Sequence, residues 1–151
     1  MAQAPNHVVG TWRPISATLE VSGVKSHPYG PEPQGMLVFT SDMHFVELLR
    51  DPRLPRFASN ERGQGTNDEN RAAMAGTLAL YGTYTVDAAG NFSGNTVQGS
   101  SFPNWIGDIR TTKELSMVVD GNRMTEHFQR PGGAKVVIVW ERVMSAPAQR
   151  D

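Results

Sequence analysis

The sequence predicts an all-β protein in which eight antiparallel strands close into an up-and-down barrel, with one short helix as a lid. Three observations predict it. Segments rich in β-branched and aromatic residues alternate with turn signals along nearly the whole chain. The turns Ser41-Asp42, Ala88-Ala89-Gly90, Asp120-Gly121-Asn122 and Pro131-Gly132-Gly133 supply Asn, Asp or Gly where a hairpin needs positive φ. Closure of such a meander removes its exposed sheet edges.

In chain order, strands are expected over 9–21, 35–41, 43–50, 78–86, 91–100, 108–117, 123–129 and 135–143. Two insertions interrupt them. Residues 22–34, SGVKSHPYGPEPQ, hold three prolines and two glycines and are expected as an ordered loop. Residues 51–67 are polar and lead into DENRAAMAG, the one convincing helical stretch. There Thr66-x-x-Glu69 matches a capping box and Gly76 can end the helix. The loop and helix are expected to lie across one barrel mouth. No repeat, low-complexity tract or boundary divides the chain, so residues 1–151 read as a single domain.

Composition narrows the function. Of 151 residues, 38% are hydrophobic and 19% charged, and the net charge is −1. There is no basic surplus for nucleic acid or anionic lipid. With no cysteine, the chain has no disulfide, thiol nucleophile or thiolate ligand, which fits a reducing compartment. The start, MAQAPNHVVGTW, lacks the basic and apolar regions of a signal peptide, and no apolar run approaches the ~20 residues of a membrane helix. The expected location is cytoplasmic. His7, His27, His44 and His127 show no metal-ligand spacing, so neither metal nor cofactor is expected. The common hydrolase, nucleotide and zinc motifs are absent as well.

Several stretches carry a resemblance. Gly10-Thr11-Trp12 on the first strand is similar to the Gly-x-Trp of lipocalin-type barrels, and Trp140-Glu141-Arg142 places an Arg where such barrels stack it on that Trp. GTWRPISAT, HPYGPEPQGMLVFTSD, LPRFAS, ALYGTYTVD, SSFPNWIG and VWERV together resemble the bacterial and fungal lipocalin-like domain family over nearly the whole chain. The resemblance implies an antiparallel barrel around a small-molecule cavity. Some such barrels bind hydrophobic ligands; others are cofactor-free cyclases, isomerases or lyases. One departure stands out: members often carry His on the strand before the FPNW motif, and here that strand has none.

Chemistry in such a barrel would come from polar groups facing an apolar interior, where burial moves a pKa toward neutrality. On the third strand, Phe45 and Leu49 take Glu47 inward, and a buried Glu can serve as general base. On the seventh, Met124 and Phe128 take Glu126 inward, whereas a bulge would turn His127 in instead; His127 is preferred for its pKa. Arg110, where the family commonly has Arg, would hold an oxyanion or carboxylate, or else pair with Glu47, Glu114 or Glu126. Tyr81 and Tyr84 must face opposite sides, and Tyr81 is taken as lining. Phe39, Phe45, Tyr81, Phe102, Trp105 and Trp140 would form the walls, and Asn104 would orient a ligand or cap a turn. Arg142 is expected to be structural.

The resulting expectation is a barrel enclosing a small, largely apolar, oxygenated organic molecule. The leading function is cofactor-independent cyclisation, isomerisation or elimination by Glu47, Arg110 and His127. The alternative is a non-catalytic carrier or sensor of a hydrophobic metabolite. The partners expected are that ligand and, as oligomer, a homodimer; nucleic acid and membrane are not.

Overall fold

The computed structural model describes residues 5–144. Strands β1 (Gly10–Val21), β2 (Val24–Ser26), β3 (Gln34–Phe39), β4 (His44–Arg50), β5 (Thr77–Val86), β6 (Phe92–Ser100), β7 (Ile109–Thr111), β8 (Leu115–Asp120), β9 (Arg123–Gln129) and β10 (Lys135–Arg142) form one antiparallel sheet. Its order is β7-β6-β5-β4-β3-β1-β10-β9-β8, with β2 hanging on β1 as a hairpin. The two ends of this path approach one another, β8 lying against β6 and β7, so the barrel is nearly closed.

The sheet therefore has ten strands rather than the expected eight, for two local reasons. Ser22 and Gly23 both adopt positive φ (51° and 78°), which lets Val21 pair with Val24 across a two-residue hairpin. The expected strand 108–117 is broken in the middle. The Glu114 carboxylate accepts hydrogen bonds from the Thr111 amide (2.7 Å) and hydroxyl (2.8 Å), folding Thr111–Glu114 into a turn. β7 then pairs with β6 while β8 pairs with β9, and the barrel seam falls between them.

Alternation puts one side of each strand inside. On β4, Phe45, Glu47 and Leu49 are buried while His44, Val46, Leu48 and Arg50 are exposed. On β9, Met124, Glu126 and Phe128 are buried and His127 is exposed. Trp12 and Trp140 are fully enclosed. Each indole removes ~150–250 Å² from water, on the order of 4–6 kcal/mol of apolar burial, more than any single polar contact contributes.

One end of the barrel is solid. Phe39 meets Tyr84 edge-on at 4.8 Å and lies near Phe92 and Phe45, at 6.1 and 6.5 Å. The Tyr84 hydroxyl donates to the Thr40 carbonyl (2.6 Å) and accepts from Asn6 (2.9 Å). Below this, Trp12 donates from Nε1 to the Val8 carbonyl, and the Arg142 guanidinium lies 4.2 Å over the Trp12 ring. Arg142 also donates from Nη1 to the Val9 carbonyl (2.7 Å) and from Nη2 to the His7 carbonyl (3.0 Å). It ties the N-terminal segment over the barrel floor, the structural role expected of it.

Tyr81, expected to line the interior, is instead on the outer surface, and Tyr84 is the inward one. The reason is visible beside it. Leu80 and Gly82 face inward, and the Tyr81 ring lies flat across the β6 backbone, where a Cβ on Gly99 would come within 2.3 Å of it. Gly82 itself sits where β5 and β6 shift register, so close that a Cβ would approach the Thr96 carbonyl oxygen to 1.9 Å.

Helix α1 (Asn67–Ala75) has the expected capping box: Thr66 and Glu69 exchange side-chain-to-backbone hydrogen bonds at 2.9 and 3.1 Å. It buries no residue of its own and packs beside β5 with Leu54 and Phe57 of the preceding loop. It does not cover the interior as a lid. It is also far too short to cross a membrane, and among the described residues no helix is long and apolar enough to do so.

The floor closure yields a test. Arg142→Lys keeps the charge but loses the flat stack and the forked donation, and should lower unfolding stability by ~1–3 kcal/mol in urea titration. Unchanged stability would show that Arg142 does not hold the floor.

Candidate functional site

The other end of the barrel contains a chamber lined by Tyr29, Glu47, Leu49, Leu78, Trp105, Arg110, Glu126, Phe128, Arg130, Val136 and Ile138, with Pro28 at its edge. Strand register brings its acids together. Glu47 lies opposite Leu37 and Leu80, and Glu126 opposite Ile138 and Met117, each one step deeper than the mouth residues Leu49 and Phe128. Because both strands alternate without a bulge, neither carboxyl can reach solvent without shifting its whole strand. Each is only 6% exposed.

The two carboxyl groups are within hydrogen-bonding reach of one another. Burial, then the neighbouring Glu126 charge, pushes Glu47 well above the usual carboxylate range. Burial raises Glu126 to about 7, held back by hydrogen bonds from Trp140 and Glu47 and by the Arg110 charge. Two like charges side by side in an apolar enclosure oppose ionisation of both, so the pair keeps at least one proton at neutral pH. Trp140 fixes the acceptor: its Nε1 donates to Glu126 Oε1 at 3.0 Å. Glu47 Oε1 is buried with no partner.

Arg110, on β7 opposite Asn95 of β6, is 7% exposed. It forms no ion pair among the described residues, and its buried Nη2 has no hydrogen-bond acceptor. Instead its guanidinium lies 4.4 Å from the Phe128 ring centre and 4.9 Å from that of Trp105. Arg130, at the end of β9, lies 5.5 Å from the Trp105 ring centre, so that ring sits among two guanidiniums. Trp105 also meets Phe128 edge-on at 5.9 Å and Phe102 at 5.4 Å. The aromatic–arginine stack fills the mouth. Only about 20 Å³ behind it is open to the centre of a water molecule, so an organic ligand enters only when Trp105 and the arginines move aside.

Tyr29 closes the chamber from the Pro-rich loop. Gly30 (φ 80°) turns back to the His27 carbonyl and packs on the Asp51 and Arg53 side chains, themselves joined by paired hydrogen bonds of 2.9 and 3.0 Å. This turn delivers the Tyr29 ring to the interior. Burial, with the charge of Glu47, raises the phenol to about 12.

The structure thus gathers Glu47, Arg110 and Trp105 of the sequence-predicted residues in one chamber, and Trp140 beneath it. His127 is not there. It faces outward into a surface groove with Thr18, Ser116 and Val137, because β9 has no bulge to turn it in. Glu126 takes the inward position, as plain alternation of Met124 and Phe128 indicates. Phe39 and Phe45 belong to the solid floor and not to the chamber wall, and Tyr81 is outside. Phe102 and Asn104 are exposed at the rim, Phe102 in contact with Trp105. Tyr29 and Arg130 escaped sequence reasoning because they lie in a loop and at a strand end, where no periodicity marks a face. Among the described residues no three His, Asp or Glu side chains gather as metal ligands.

No curated protein matches the chain. Among solved structures it is similar to a redesigned β-barrel, with 14% identity, a TM-score of 0.47, and 95% of this chain and 98% of that one covered. It is also similar to a de novo designed fluorescence-activating β-barrel, with 14% identity, a TM-score of 0.44, and 95% and 100% covered. The profile of the lipocalin-like domain matches residues 9–143, from before the Gly10-x-Trp12 motif to just beyond Arg142. The chain belongs to the lipocalin-like domain family.

Proposed function

We propose that the chamber binds a small, largely apolar, oxygenated organic molecule and moves a proton on it without a cofactor, as a cyclase, isomerase or lyase must. The buried Glu47–Glu126 pair carries this reading. A binding pocket for apolar molecules has no need of two carboxyl groups sharing a proton. A general acid–base site does, because the shared proton makes one group acceptor and the other donor near neutral pH.

The roles follow from the geometry. A substrate carbonyl beside Arg110 Nη2 would have its developing oxyanion stabilised by a donor already in place. The proton leaving the adjacent carbon goes to the free Oε1 of Glu47, while the proton on the other Glu47 oxygen passes to Glu126. The pair ends with one proton more, which it returns at the product carbon or to a leaving oxygen. Trp140 keeps Glu126 aligned for this exchange. Leu49, Leu78 and Ile138 exclude water and fix the reactive conformer.

Proton exchange into a substrate-like carbon tests this directly. With a panel of mono- and bicyclic enolisable ketones in D2O, the wild type should speed deuterium incorporation at the α-carbon for at least one member. Glu126→Gln, which keeps the acceptor for Trp140, should lose ~10²–10⁴-fold of that acceleration. If ketones quench Trp105 fluorescence yet exchange equally in both proteins, the chamber is a carrier site and the catalytic reading fails.

The pair also fixes a pH dependence. Both carboxyls titrate higher in the fold than their ordinary 4.5, so between pH 4.5 and about 7 the folded chain holds more protons than the unfolded one. Their contribution makes stability fall as pH rises through that window. Glu47→Gln should flatten the slope and leave the variant more stable than wild type at pH 8 by on the order of 1–3 kcal/mol. Urea unfolding at pH 5 and pH 8 measures both; an unaltered slope would mean that the carboxyls are not paired inside.

A further inference from the structure

We propose that the ligand is an organic monoanion, an amphiphilic carboxylic acid, whose carboxylate seats between Arg110 and Arg130 while its apolar part lies along Leu49, Leu78, Val136 and Ile138. This rests on the reading that the chamber is a ligand site, but not on catalysis.

The charges facing the chamber decide its sign. Two guanidiniums, Arg110 from β7 and Arg130 from the end of β9, line the mouth. Facing them are Glu47 of β4 and Glu126 of β9, which together carry at most one negative charge while they keep a proton. Tyr29, from the Pro-rich loop, stays neutral, and Trp140 of β10 is uncharged. Asp108, also felt by Arg110, is at the exposed rim. Inside the rim, at least one positive charge is left unmatched.

The donors agree with the charge. Arg110 Nη2 and Arg130 Nε are both buried and both lack an acceptor, an arrangement that desolvation makes unfavourable until an anion supplies one. The two nitrogens belong to guanidiniums lying beside the same Trp105 ring, and Arg110 is further held against Phe128. The rings keep the guanidinium edges free for in-plane donation, which suits a planar, two-oxygen carboxylate. The carboxylate would also take over the space of the stacked mouth, so binding and opening become one event. Beyond the guanidiniums the wall is aliphatic, so a hydrated inorganic anion would bury nothing there.

A matched panel of acids and their primary amides separates charge from shape. Octanoate, cinnamate and 2-naphthoate, with their amides, would be titrated calorimetrically into the full chain at pH 6 and pH 8. Trp105 emission is read in parallel, with Trp105→Phe as control for the two buried tryptophans. At least one acid should bind roughly tenfold or more tightly than its amide at pH 6. Arg130→Gln should remove about tenfold of the acid affinity and leave the amide affinity unchanged; Arg130 is half-buried where Arg110 is buried, so the variant removes the charge at less cost to the fold. Raising the pH from 6 to 8 passes through the Glu126 titration near 7, adds a negative charge beside the guanidiniums, and should weaken the acid several-fold but not the amide. Equal affinity of acids and amides, or amides alone binding, overturns the monoanion and leaves the chamber a ligand site. If no member of either set binds, the monoanion and the ligand chamber both fall.

Discussion

Everything distinctive about this barrel depends on one constraint, the strict two-residue alternation of β4 and β9 around a nearly closed sheet. An inward position on such a strand has no way out. Phe45, Glu47 and Leu49, like Met124, Glu126 and Phe128, descend the same inner wall, and the middle member of each trio is an acid. Burying two carboxyls opposes folding, and the surrounding apolar burial from Trp12, Trp140, Leu37 and Leu49 offsets it. The site is thus a destabilising feature maintained by the rest of the fold. Strained or costly groups of this kind are found where function requires them.

The two ends of the barrel divide the labour. The floor is saturated: Tyr84, Trp12 and Arg142 each complete their hydrogen bonds to backbone carbonyls. The mouth is not: Glu47, Arg110 and Arg130, all lining the chamber, each have a buried atom without a partner, as does Asn95 between Tyr84 and Arg110. Native interiors leave few buried polar atoms unpaired, so three such residues around one chamber single it out as the candidate site.

Much of this was legible in the residues, and the limits have physical causes. Hairpin turns and the capping box at Thr66 and Glu69 rest on local chemistry and could be read directly, whereas the Trp12–Arg142 closure, between residues far apart in the chain, followed only from the lipocalin-type resemblance. So could the inward direction of Glu47. For β9 the same alternation pointed to Glu126, and His127 was favoured only because its pKa suits proton transfer; burial makes a carboxylate equally suited. Tyr81 and Tyr84 could not be separated by spacing, since their choice depends on a cross-strand neighbour, Gly99, that only the register reveals. The sequence TTKE hides its turn because a side chain, Glu114, closes it without Gly or Pro. The strand pair at Val21 and Val24 was masked by the prolines that follow it.

The SSFPNWIG stretch, residues 100–107, presents Trp105 at the mouth on a turn held by bonds of its own. Between Ser101, whose amide donates to the Ala79 carbonyl, and Gly107, whose amide donates to that of Val97, the chain makes its hydrogen bonds with itself. Trp105 donates to Phe102, Ile106 to Pro103 and Asp108 to Trp105. None of these belongs to a strand ladder, and no residue of the turn is fully buried. What holds Trp105 against the barrel is therefore its ring, packed on Phe128 and between Arg110 and Arg130, and not the backbone ladder of the wall. The seal of the chamber is a matter of side chains, and the wall behind it would stand without it.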